Sequence, residues 1–474
     1  MKVPHLLAVG AAAAAMIFAA SGAEAQQRSI GGGMRNPLPA HGGGTHGKHR
    51  FVLPFFFVEQ EDRVIIQREV VREVPVVVEP KPPAPPSKPA ADAPPAETKG
   101  PAISSGARKE IVALQTAVNA KDAAAIAAAL PAAQAKAKTK DDRYVIAKLQ
   151  LKAAVDANNT DAMAQGVEAV LASGYADPSE VQTLYLGLGK LHYNAKAYDK
   201  AGAALDQVLR IDPNNVEALV VQAETRNSQG RAAEGVALLQ KAIGIRVAAG
   251  QKPEEAWYKR AVKLAFDAKL PATPAMARDW VAAYPSPKNW RDAIRIYQTN
   301  TGLDDAALID SMRLARATGG LQGENDYYRY TNTLVVKGFP GEAKAVLDEA
   351  FAAKAVDRTR GTFSQLYSLA SSRSQGDRAS LGASATAAKA AADAKKAMTT
   401  AEAYYGYGDY AQAADLYRVA LTKNGVDKDL ANLRLGMSLL GAGDKAGATA
   451  AFNAAGGAQA AVARLWLTYL AQKA

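Results

Sequence analysis

The sequence predicts an all-α protein, a solenoid of antiparallel helical hairpins, preceded by a long N-terminal region with no helical pattern. Three observations predict it. Two copies of one 34-residue pattern stand side by side between Gln182 and Ala249. Alanine-rich amphipathic stretches of hairpin length continue on both sides of that pair. Before residue 106 the composition changes instead to Gly, Pro and β-branched residues.

The first copy reads QTLYLGLGKLHYNAKAYDKAGAALDQVLRIDPNN, and the second begins VEALVVQAETRNSQGRAAEGVALLQKAI. A small residue holds the eighth place (Gly189, Ala223) and another the twentieth (Ala201, Gly235). Leu205 and Leu239 hold the twenty-fourth, Val208 and Ala242 the twenty-seventh, so every equivalent pair is 34 apart. Small residues let two helices approach closely, and each hairpin exposes an apolar face that the next one covers.

With Leu188, Gly189, Tyr193, Tyr198, Ala201, Leu205, Leu209 and Pro213 at these places, the pattern resembles the tetratricopeptide repeat (TPR). The resemblance implies a right-handed superhelix whose concave groove, lined by first helices, binds partners at places two, five, nine, twelve and thirteen. Those places are Thr183, Leu186, Lys190, Tyr193 and Asn194 in the first copy, and Glu217, Val220, Glu224, Asn227 and Ser228 in the second. The family's carboxylate clamp needs lysine at place five and asparagine at nine; Leu186 and Lys190 stand there. A mixed groove, with Lys190 near Glu224 and an exposed Tyr193, suits an extended or helical peptide. The resemblance thus implies a scaffold or adaptor that works by protein binding.

The charge balance is +11, with basic residues interspersed among acidic ones. Nucleic-acid binding calls for basic residues bunched on one element, so the pattern argues against it. There is no cysteine, which excludes disulfides, thiolate metal sites, thiol catalysis and a lipid anchor on cysteine.

Residues 1–25 read as a cleavable signal peptide: Lys2, an apolar run from Leu6 to Ala20, then small Ala23 and Ala25. The expected location is therefore the periplasm or beyond, in a bacterial cell envelope. Residues 26–50 are Gly-rich with His41, His46 and His49, imidazoles that bind metal only if other ligands organise them; a disordered polar segment is the default. Residues 51–79 are β-prone, with apolar runs on both sides of EQEDR, which fits either strand addition to a partner or to another copy of the chain, or a disordered apolar patch or one resting on the chain's own solenoid. Residues 80–105 form a Pro-rich spacer, and residues 106–474 the helical-repeat domain.

Within that domain the pattern predicts helices at 108–119 and 122–138, the latter kinked or restarted at Pro131, then 141–157 and 160–173 with Gly174 at the stop. Beyond the two clear repeats, Pro253 to Lys269 is followed by a helix starting at Thr273-Pro274, then 290–298 and 304–317. Glu324 to Lys337 and Gly341 to Phe351 restore the motif. Thr399 to Leu421 repeats it with Ala401, Tyr404, Gly408, Tyr410, Ala413, Tyr417 and Ala420 in the repeat places. One more copy, with Gly436, Gly443, Ala448 and Phe452, precedes a last helix whose Val462, Leu465, Trp466 and Tyr469 share one face and cap the stack.

No catalytic set is legible. His192 takes the eleventh place, a packing position, with no nucleophile or carboxylate paired to it in the pattern. GLGK at Gly187 to Lys190 lacks the strand, length and hydroxyl of a phosphate loop. No cofactor or metal is implied. A cell-wall-degrading enzyme is a weaker alternative, since it needs a further domain with a placed acid. Glycan or peptidoglycan binding through Trp257, Trp280, Tyr284 and Trp290 is the other.

Overall fold

The computed structural model describes residues 100–300 and 304–473, so the leader, the Gly/His segment, the β-prone segment and most of the Pro-rich spacer lie outside the described residues. Among the described residues there are twenty α-helices and no β-strand. The described residues divide into two compact units, one up to residue 221 and one from residue 222 on.

The first unit contains α1 (Arg108–Ala120), α2 (Ala123–Lys136), α3 (Lys140–Asp156), α4 (Thr160–Ala172), α5 (Pro178–Asn194) and α6 (Tyr198–Ile211), each packed on its neighbours in order. Their starts follow from local chemistry. Asp122 accepts from the amides of Ala124 and Ala125, and Asn159 from that of Ala162. Thr139 and Asp142 form a reciprocal capping box. The helix expected to kink or restart at Pro131 is continuous through it, from Ala123 to Lys136. Pro131 lacks the amide that would serve the Ala127 carbonyl, and both residues lie on the exposed side of the helix. Ordered structure also begins before residue 106: the amide and hydroxyl of Ser104 each donate to Asp142 at 2.8 Å, and Ile103 packs on the first core.

In the hairpin α5–α6 the predicted spacing has its physical cause. A Cβ built at Gly189 would lie 2.6 Å from Leu205 Cγ, so any larger residue at place eight drives into the residue at place twenty-four. Leu205 and Val208 are wholly buried. Such side chains each contribute about 1.5–3 kcal/mol.

The next helix is α7 (Val216–Ser228). The second unit continues with α8 (Ala232–Ala248), α9 (Glu255–Asp267), α10 (Thr273–Ala283), α11 (Pro287–Asn300) and α12 (Asp305–Ala317). Then come α13 (Gly323–Lys337), α14 (Pro340–Ala352), α15 (Gly361–Ala390), α16 (Lys395–Gly406), α17 (Tyr410–Leu421), α18 (Lys428–Gly441), α19 (Lys445–Ala454) and α20 (Ala460–Ala471). Thr273 is not the expected cap: Ala272 precedes the helix, and the buried Thr273 hydroxyl donates back to the Leu270 carbonyl at 2.6 Å. The same eight-to-twenty-four relationship returns in α18–α19, where a Cβ on Gly436 would meet the Phe452 ring at 2.6 Å.

Two features of this unit depart from a simple run of hairpins. Helix α15 is 30 residues long. The last helix, α20, packs on α19 as a cap, and also returns to α10 and α12. Gln472 donates to the Val281 carbonyl at 2.8 Å and accepts from Trp290 Nε1 at 3.2 Å, and the Tyr469 hydroxyl donates to the Ala317 carbonyl at 3.0 Å. No described helix is long and apolar enough to cross a membrane.

Candidate functional site

The residues at the groove places fall into distinct environments. Leu186 is 6% exposed and packs with Leu205, Val208, Ala218 and Val221, so its side chain belongs to the core. Thr183, Lys190, Tyr193 and Val220 are half-buried, whereas Asn194 and Glu217 are exposed. Lys190 pairs with Glu217, and Tyr193 leans on Tyr198 with ring centroids 5.7 Å apart. In the second unit, Asn227 is half-buried and Ser228 exposed. Glu224 is held by Arg260, whose Nη2 and Nε lie 2.6 and 2.8 Å from its oxygens. Within the first unit Lys190 thus pairs with Glu217, and within the second Glu224 pairs with Arg260. Tyr193, expected to be exposed, is partly covered because Tyr198 from the next helix lies over it.

His192 is 7% exposed, with Nε2 3.2 Å from Glu168 Oε1, a contact that joins α5 to α4. Trp280 and Trp290, at 1% and 2% exposure, are core residues; Trp280 Nε1 donates to Glu255 at 3.1 Å.

A cluster that the pattern did not disclose lies in the second unit. Asp310 and Arg313 on α12, Glu342 on α14, Glu402 on α16 and Arg434 on α18 are all buried. Arg313 grips Glu342 through Nε and Nη2 at 2.9 and 2.6 Å and reaches Glu402 at 2.9 Å and Asp310 at 3.1 Å. Arg434 Nε lies 3.2 Å from both oxygens of Asp310, and its Nη1 3.2 Å from Glu402. Tyr330 donates to Glu342 at 2.5 Å, Tyr417 donates to Glu402, and the Arg313 guanidinium sits 4.3 Å from the Tyr405 ring centroid.

Three carboxylates thus share two guanidiniums in a water-poor setting, and their protonation diverges. Burial raises the Asp310 carboxyl, and Arg434 and Arg313 only partly oppose that. Burial acts on Glu402 too, but Arg313 and Arg434 outweigh it and, with the Tyr417 hydroxyl, hold it down at about 2. Burial and the adjacent carboxylates keep the Tyr330 and Tyr417 hydroxyls protonated as donors. Each of the five charged groups is engaged by the others, so the arrangement ties four helices together and presents no open reactive group. Its sequence signal was available: Asp310 and Arg313 lie inside the apolar run ALIDSMRLARA, where a helix has no fully polar face.

No family model matches the chain, and no curated protein matches it significantly.

Proposed function

We propose that this chain is an exported tetratricopeptide-like scaffold that works by protein–protein contact in the bacterial cell envelope, in assembly of an envelope or polysaccharide-export complex. The observation that carries the reading is the recurrence of one contact, Gly189 with Leu205 and Gly436 with Phe452, at the same repeat places in hairpins of both units. The leader at residues 1–25 supports export. The partner-binding residues in this reading are Thr183, Lys190, Tyr193, Asn194, Glu217 and Val220 in the first unit and, taken by themselves, Glu224, Asn227 and Ser228 in the second. In the hairpin α16–α17, counting Ala401 as place eight, the groove places nine and twelve are Glu402 and Tyr405. Their engagement with Arg313 supports assigning partner binding to residues 183–228 instead.

The test is in-cell crosslinking and affinity capture of the full chain, a form lacking residues 26–100, and a Lys190→Glu/Tyr193→Ala variant. Loss of one protein partner from the double variant alone supports the reading. Loss only on deletion of residues 26–100 transfers recognition to the N-terminal segment, and equal capture by all three forms overturns the groove assignment.

Glycan binding is the second reading. The burial of Trp280 and Trp290 weighs against it, since a stacking platform must expose a ring face. Half-buried Trp257 and Tyr284 are what remains for that role. Retention on isolated peptidoglycan, lost in Trp257→Ala, would favour it.

A further inference from the structure

The second unit holds a cleft of about 620 Å³ where the end of α12, the first half of α14, the middle of α15 and the turn between α16 and α17 meet. Three cations from three helices line it, Arg316, Lys344 and Arg378, and Asp348 is the one carboxylate among its lining residues. Each cation has a carboxylate partner: Arg316 has Glu349, Lys344 has Asp348 at 2.7 Å, and Arg378 has Asp409 at 3.6 Å. Those acids are 57%, 45% and 34% exposed, so the pairs are wet. Exposed single-point pairs such as those of Lys344 and Arg378 are worth about 0–1 kcal/mol, whereas Arg316 holds Glu349 through both Nε and Nη2 and is the firmer of the three.

The walls, by contrast, are fixed. The Tyr407 hydroxyl shares its one proton between Asp377 at 2.8 Å and the Ser374 carbonyl at 3.0 Å, which ties the α16–α17 turn to α15. The Tyr407 ring lies against Gly341, where any side chain would collide with it. Tyr405 is held from below by Arg313 and from the side by Tyr410, with ring centroids 5.2 Å apart. A cleft with rigid walls and exchangeable counterions is organised for an incoming anion.

We propose that this cleft binds the phosphate group of a small molecule, which replaces the carboxylates now on Arg316, Lys344 and Arg378. A single carboxylate would gain nothing over Glu349, Asp348 and Asp409, because it offers the same charge and the same two oxygens. A phosphate monoester offers nearly two charges and three acceptor oxygens, enough to engage two cations at once, and a guanidinium fork matches it in two parallel bonds. The volume leaves room for an organic group beyond the phosphate. This inference stands apart from the scaffold reading, since none of its residues belongs to the proposed partner surface.

The experiment is calorimetric titration of the full chain with inorganic phosphate, the group common to every such ligand, and with acetate as the carboxylate comparison. Saturable binding of phosphate is expected, with acetate at least about tenfold weaker. Lys344→Gln and Arg378→Gln should each weaken phosphate by about tenfold, the loss of one charge-assisted contact. Asp409→Asn should tighten it, because the variant removes the anion that competes for Arg378, an outcome that damage to the fold would not produce. No saturable binding, equal affinity for acetate, or an affinity unchanged in both cation variants overturns the proposal.

Discussion

Arg434 and Asp310 stand 124 positions apart in the chain, yet Arg434 Nε lies 3.2 Å from both carboxylate oxygens of Asp310. Through Glu402, Arg434 is also linked to Arg313, so one buried set of charges connects α12, α14, α16 and α18. Burying such a set is costly in itself, and its energetic weight appears when a member is removed.

Arg434→Ala leaves Asp310 and Glu402 short of a cation and should destabilise the second unit by about 3–5 kcal/mol. Asp310→Leu/Arg434→Met removes a charge of each sign together and should lose less than the single variant. All four tryptophans lie in the second unit, so tryptophan fluorescence during urea unfolding reads it selectively. A loss under about 1 kcal/mol for Arg434→Ala would mean that water relaxes into the cluster.

Asp142 should govern the acid limit of the first unit. Burial favours its neutral form, but the amide and hydroxyl of Ser104 and the amides of Thr139 and Lys138 outweigh it and lower the carboxyl from 3.8 to about 2. A depressed carboxyl contributes stability above its unfolded value that is lost as pH falls through the folded one. Here that is about 2 kcal/mol, lost between about pH 4 and 2. Amide exchange in α3 should accelerate across that window, and Asp142→Asn should flatten the dependence. The same slope in the variant would assign acid sensitivity elsewhere.

Gly189→Ala places a carbon 2.6 Å from Leu205 Cγ and should cost about 1–3 kcal/mol through overpacking. Leu205→Ala opens space at the same point, so the double variant should lose less than the sum of the two single losses. Additive losses in thermal unfolding followed by circular dichroism would refute direct contact.

Removal of residues 460–474 strips Gln472 from Trp290 and the Val281 carbonyl. Fluorescence quenching by acrylamide should then rise, and exchange of the α10 amides should speed up. If only α19 responds, the return of α20 to α10 carries little energy.

The helix positions in residues 108–351 were legible because small residues at helix crossings and stops such as Gly174 leave local marks. Helix α15 left none. Over its 30 residues only Phe363, Leu366, Ala370, Ser374, Leu381 and Ala388 are buried, too sparse and too small a set for a helical period. The charge cluster was only half legible: Asp310 and Arg313 inside an apolar run are a local mark, but their partners Glu402 and Arg434 are 89 and 124 positions further on, beyond the reach of any local pattern. Among the groove places, the pattern could not anticipate that Leu186 turns to the core or that Glu224 is taken by Arg260.

An open array of hairpins tolerates the gain or loss of a copy, because each contacts only its neighbours. The return of α20 to α10, which joins residues 191 positions apart, removes that freedom from the second unit. Duplicating or deleting one hairpin between them would carry α20 past its seat. Within the span from α10 to α20, therefore, substitutions and small changes in the turns leave that seat in place, whereas a whole added or deleted hairpin does not.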